Sequence, residues 1–241
     1  MSHLTPIANN LWSTPGVARM PGGIVFPCRM LIVRLSDGRL WLHSPVELSD
    51  AVVDAINDLG EVAFLVAPNK MHHLFLKDAM ARFPNAEVYG APGLADKRDD
   101  LRFDATIPAS TPEAWRSDLD LMAIDGLPDL NEVVFLHKPS RTLIVTDLIF
   151  NMKTPHNWQT WLVHTLAGVR GRFAQSRLLR VMTRDRQAAG DSVARLLSQW
   201  EFERVVVAHG DVVEESAQAQ VRDALSWMLG GSRRALPAPA A

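Results

Sequence analysis

Histidine and aspartate stand at the ends of three apolar runs in this chain. Residues 62–66 empty into Ala67-Pro68-Asn69-Lys70-Met71-His72-His73, Leu143-Ile144-Val145 into Thr146-Asp147, and Val205-Val206-Val207-Ala208 into His209-Gly210. Short β-branched runs stopped by turn residues read as strands. Rigid strands aim the side chains at their ends, so functional groups collect where strands give way to loops. Three such ends meeting at one edge would assemble imidazole, carboxylate and imidazole from distant parts of the sequence. That donor set suits zinc or iron, which makes His72, His73, Asp147 and His209 candidate ligands for one divalent metal.

A metal with an open coordination position lowers the pKa of bound water to about 7 and polarises a carbonyl or phosphoryl oxygen. Lys70 is then a candidate catalytic group that stabilises an oxyanion or anchors an anionic substrate. His137, ten residues before Asp147 and at the end of its own strand, is a candidate acid or base. His43 is expected to support the site or hold backbone, and Asn69 to tie its turn by side-chain hydrogen bonds. The same residues have a second reading. His72 and His73 are adjacent and must point in different directions, so one of them caps the next helix. Asp147 and His209 then satisfy turn backbone, and the site holds no metal.

The elements that would position these groups follow from periodicity. Residues 30–35 and 39–43 flank Ser36-Asp37-Gly38, a hairpin signal. A helix begins near Ser49, whose hydroxyl can cap it, buries Val52, Val53, Ile56 and Leu59, and stops at Gly60. A second helix follows His73 to about Phe83, then a short strand over residues 87–89. Residues 119–124, 132–137 and 142–145 predict a strand meander. A helix over 188–200 leads to the strand before His209, and a terminal helix spans 216–229. This layout predicts an α/β chain, an αββα sandwich.

The order and spacing of the three segments resemble the metallo-β-lactamase fold. In that family a His-x-His-x-Asp-His motif follows a strand, and later turns supply a His, an Asp and a final His. On that frame Pro68, Lys70 and Leu127 stand where one metal site has its three His. His72 falls at the motif's Asp, while His73, Asp147 and His209 match the second site. The resemblance therefore implies one metal at most. An ammonium at Lys70 about 4 Å from an ion would be repelled by roughly 8 kcal/mol at an effective dielectric near 20, which makes it a stand-in charge for the missing ion. Over residues 10–215 the chain is more closely similar to a bacterial family of domain-of-unknown-function proteins on that fold. Leu42-His43-Ser44-Pro45, Asn69-Lys70-Met71-His72-His73-Leu74-Phe75, Ala91-Pro92-Gly93-Leu94 and residues 140–147 carry that likeness. It implies a fold and no particular reaction.

Bulk properties narrow the classes. With 241 residues and 47 % hydrophobic content, residues 1–232 suffice for one domain with a full core, and the Pro/Ala-rich tail 233–241 is expected to be disordered. A net charge of −2 gives no bias toward nucleic acid. Cys28 is the sole cysteine, so no intramolecular disulfide forms, and a buried apolar role is expected for it. No basic-then-apolar leader and no run of 18 apolar residues is visible, so a cytoplasmic location is the expectation. Nothing fixes an oligomeric state.

Residues 153–186 stand apart. No acidic residue occurs between Asp147 and Asp185, while Lys153, Arg170, Arg172, Arg177, Arg180 and Arg184 alternate with Trp and Leu. Three readings stay open: an amphipathic cover with a solvated basic face, a lid whose arginines meet an anionic ligand, and a surface for peripheral contact with an anionic membrane. Two functions follow. The first is a mononuclear metal-dependent hydrolase of a small anionic ester, thioester or phosphoester. The second is a ligand-binding or regulatory protein on a retired hydrolase scaffold.

Overall fold

A computed structural model describes residues 4–230, so the expected disorder of the tail lies outside the described residues. Strands β1 (Thr5–Ala8), β2 (Leu11–Met20), β3 (Ile24–Arg34) and β4 (Leu40–His43) pair in antiparallel succession. Helix α1 (Asp50–Asn57) returns the chain to β5 (Val62–Ala67), α2 (Leu76–Arg82) to β6 (Glu87–Gly90), and α3 (Leu94–Lys97) to β7 (Ala105–Thr106). These crossovers make β4 to β7 parallel, and the seven strands form one sheet in chain order.

The meander β8 (Leu119–Ala123), β9 (Val133–His137) and β10 (Thr142–Val145) starts the second sheet. The small ribbon β11 (Phe150–Asn151) and β12 (Phe173–Ala174) brackets helix α4 (Trp158–Ala167). Helices α5 (Arg177–Met182) and α6 (Arg186–Gln199) lead to β13 (Arg204–Val207), which pairs in parallel with β10. Helices α7 (Ala217–Ala224) and α8 (Ser226–Leu229) close the described chain.

Side-chain alternation explains the layers. On β4, Leu40 and Leu42 face α1 and α2, while Trp41 faces the other sheet with Phe64 and Val66 of β5. On β10 and β13, Ile144 and Val206 meet that inner layer, and Leu143, Val145, Val205 and Val207 pack toward α6 and α7. Three apolar layers separate two sheets and two sets of helices, which is the αββα sandwich that the sequence predicts.

Some local expectations change. β3 starts at Ile24 rather than near Met30 and pairs with the long β2 through a turn at Pro21–Gly23. Ser49 stands at the start of α1 with extended backbone, but its hydroxyl makes no capping bond. The terminal helix is two helices, which meet at Leu225.

Candidate metal centre

Three loops place the site. Asn69 folds the loop after β5 by accepting the backbone N–H of Met71 and of His72, both at 2.8 Å. That pins His72 over the end of the second sheet, where Asp147 leaves β10 and His209 leaves β13. The Asn69 side-chain amide faces the other way and donates to Asp147 Oδ2 at 2.8 Å and to Thr146 Oγ1 at 3.1 Å. One asparagine thus links two of the loops, the turn-tying role expected of it.

The three site residues converge closely. His72 Nε2 lies 3.0 Å from His209 Nε2 and 3.3 Å from Asp147 Oδ2, and His209 Nε2 lies 3.2 Å from Asp147 Oδ1. Around a tetrahedral zinc with bonds of roughly 2.0–2.1 Å, neighbouring donor atoms sit about 3.3 Å apart. The His–His side is near that value, each imidazole reaches a different oxygen of the one carboxylate, and one ligand atom from each residue lies within 4.8 Å of the others, close enough for the three to share one ion. The outer nitrogens are held as well: His209 Nδ1 donates to the Pro27 carbonyl at 2.8 Å, and His72 Nδ1 pairs with Ser44 Oγ at 2.6 Å. Because a carbonyl only accepts, His209 carries its proton on Nδ1 when neutral, which turns the Nε2 lone pair toward the cluster. Phe150 stacks on the His209 ring at 5.1 Å and fixes its plane. Donor type, spacing and outer hydrogen bonds all fit one divalent ion.

Electrostatics couple the three groups. Burial disfavours a charge on His209, but Asp147 and the neighbouring Cys28 thiol prevail and raise its pKa to about 10. Burial likewise disfavours the Asp147 carboxylate, but His72 and His209 hold its pKa well below the usual range. The cluster thus stores either an imidazolium–carboxylate pair or a cation in its place.

A residue the sequence reading missed supports Asp147. Glu132, 1 % exposed at the mouth of β9, accepts the Thr146 N–H on Oε1 and the Asp147 N–H on Oε2, each at 2.8 Å. Burial, followed by the charge on Asp147, raises its pKa to about 7. Its signal in the sequence is a carboxylate directly before the buried run 133–137. Ser44 was also missed, although the expected support came from its neighbour: Ser44 bears the bond to His72, and His43 stacks on Trp41 at 5.3 Å in the inner core.

Three expected site residues are not brought to the cluster. His73, expected as a ligand, turns away, and its Nδ1 lies 2.6 Å from Arg98 Nη1. Adjacent side chains cannot both face one point here, and the Asn69 turn gives that place to His72. Lys70, expected beside the metal, points its ammonium at the Pro128 carbonyl, 2.9 Å away. His137 pairs in register with Thr142 at the start of β10, so it sits five residues from Asp147, about 16 Å along the strand. It is buried there against Ser140 Oγ at 2.6 Å. Leu127, which the resemblance set at a ligand position, is buried in the core beneath α6.

The cluster opens on a cleft of about 510 Å³. Its walls are chiefly apolar: Phe26, Met71, Phe75, Leu130, Phe150 and Leu179 are among the lining residues, with Lys97 the only lysine or arginine. Lys97 is itself engaged with the Lys70 carbonyl at 2.6 Å.

The family model for the domain of unknown function DUF4336 matches residues 9–160, more than half of the chain. The chain belongs to that family. The DUF4336 match takes in His72, Glu132 and Asp147 and ends before His209. No curated protein matches the sequence. Solved structures of similar shape include metallo-β-lactamases. One from Pontibacter korlensis is 18 % identical, with a TM-score of 0.65 over 94 % of this chain and 98 % of that one. One from Erythrobacter litoralis is 13 % identical, with a TM-score of 0.63 over 94 % and 92 %. One from Hirschia baltica is 9 % identical, with a TM-score of 0.60 over 96 % and 98 %. At these identities they establish the sandwich fold of this DUF4336 chain and nothing finer.

Proposed function

We propose that this chain is a hydrolase that uses one divalent metal, held by His72, Asp147 and His209, to cleave an ester or thioester with an apolar body. The observation that carries the reading is the triangle of three donor atoms at the base of an apolar cleft. A bound metal would supply an activated water and a Lewis acid. The protein's own groups do the rest. The Pro27 carbonyl turns the His209 Nε2 toward the cluster, Ser44 holds the His72 ring, Asn69 holds the Asp147 carboxylate and Glu132 its backbone N–H, and Phe26 and Phe150 pack on the His209 ring.

The cleft argues for an apolar substrate over the anionic one expected from the sequence. Lys70 is turned away, and the arginines of residues 153–186 do not line the cleft. Walls of Phe, Met and Leu favour an acyl or aryl group, whose burial is worth about 25 cal/mol per Å² of apolar surface.

A second reading has its own support. The 3.0 Å separation of the two Nε2 atoms is also a hydrogen-bond distance, and a proton on His209 would replace the metal. The chain would then be a ligand-binding protein. One experiment separates the two readings: metal analysis of protein never exposed to chelator, with hydrolysis of aryl esters of increasing acyl length. Hydrolase function predicts about one equivalent of zinc, iron or manganese, and activity lost in Asp147→Asn. Less than about a tenth of an equivalent, with apolar dyes still bound in the cleft, selects the binding protein.

A further inference from the structure

Helix α4 is inside-out. Its buried residues are the polar Thr160 and His164, while Trp158, Trp161, Leu162 and Leu166 are exposed, Trp158 to 70 %. Thr160 bonds both backbone groups of Val25, whereas neither ring nitrogen of His164 has a hydrogen-bond partner among the described residues. The neighbouring α5 repeats the pattern: Leu178 is 64 % and Val181 80 % exposed. The turn between β2 and β3 joins the same face, because Asn157 at the start of α4 donates to the Gly23 carbonyl at 2.9 Å, and Met20 beside it is exposed. A helix that turns its apolar side outward needs a cover.

Charge identifies the cover. Arg170, Arg172, Arg177 and Arg180 are exposed around these side chains, and none of them is in a salt bridge found among the described residues. Arg170 lies over the Trp161 ring at 5.2 Å, which leaves its charge at the surface of the patch. No acidic residue occurs from 148 to 184. In a symmetric pair of these chains the arginines would face each other without a carboxylate between them, so a second copy is a poor cover. Apolar side chains ringed by unpaired arginines fit a lipid surface with anionic headgroups, in which tryptophan and leucine enter the acyl boundary and arginine meets phosphate.

We infer that the face formed by α4, α5 and the tip of the β2–β3 hairpin docks on an anionic membrane surface. No helix among the described residues is long and apolar enough to cross a bilayer, so this contact is peripheral. Met20 and Leu178 belong both to this face and to the rim of the cleft, so docking brings the cleft mouth to the lipid.

The test is co-sedimentation of the full chain with vesicles of phosphatidylcholine alone and of phosphatidylcholine mixed equally with phosphatidylglycerol. Binding is expected to the anionic vesicles, to fall about fivefold for each arginine charge removed, and to weaken in high salt. Trp158→Asp with Leu162→Asp, and Arg172→Glu with Arg180→Glu, should each abolish it without lowering the melting temperature, since all four side chains are exposed. Asp147→Asn should bind as the unaltered protein does, which separates this proposal from the hydrolase reading. The proposal is overturned by equal or absent binding to both vesicles, by variants that bind unchanged, or by a concentration-dependent dimer that Trp158→Asp dissolves.

Discussion

The carboxylate of Glu132 grips the backbone N–H of Asp147 at 2.8 Å, and so one buried acid positions another. Its second oxygen takes the N–H of Thr146. Glu132→Gln would set a side-chain NH₂ against one of these N–H donors and leave a buried donor unpaired. A loss of about 1–3 kcal/mol is expected from denaturant melts. Metal affinity should fall about 10–100-fold in a competition titration, because Asp147 would no longer be held in place. Unchanged affinity would show that the loop orders itself without Glu132.

Neighbouring histidines offer a sharper comparison. His72→Ala removes one donor of the three and should abolish stoichiometric metal, as should His209→Ala. His73→Ala should keep the metal, because its ring faces Arg98. Elemental analysis of the three purified variants decides it, and metal loss in His73→Ala would contradict the assignment.

Acid should weaken the fold through two buried histidines. Burial lowers the pKa of His137 to about 4, with Asp118 opposing it, and that of His43 to about 3, with His72 adding to the effect. An unfolded imidazole titrates near 6.5. As pH falls below that value the unfolded chain takes up protons that the native state refuses, so stability is full above about pH 6.5 and is lost toward pH 4. His137→Asn should therefore narrow the difference between urea melts at about pH 7 and about pH 5 by about 2 kcal/mol. An unchanged difference would place the acid sensitivity elsewhere.

Gly210 permits the close approach of the His209 loop to β11. Its φ is +114°, and a Cβ there would overlap the Asn151 carbonyl. Asn151 in turn donates its backbone N–H to the His209 carbonyl at 2.9 Å. Gly210→Ala should lower stability by about 2 kcal/mol or more and displace His209, seen as a fall in both melting temperature and bound metal.

The layers and most of the strands were legible because β-branched runs and helical periodicity are local signals. β2 was not: Pro15 and Gly16 interrupt it, and its ten-residue pairing with β3 depends on tertiary context. The chemistry of the site was legible as a set of strand ends, which located His72, Asp147 and His209. Side-chain direction was not, and so His73 and Lys70 were placed in a cluster they do not enter. His137 was misplaced for a topological reason, since antiparallel pairing sends the end of β9 away from the end of β10. Glu132 went unnoticed because a single carboxylate before a strand looks like any solvated one until its two N–H partners are known.

Leu127 closes the site on one side. It is sealed within the hydrophobic interior under α6, while Pro68 carries no side-chain donor and Lys70 brings a positive charge. A histidine at Leu127 would bury a polar ring among aliphatic neighbours, so that side of the site offers no further nitrogen donor without a cost to the core.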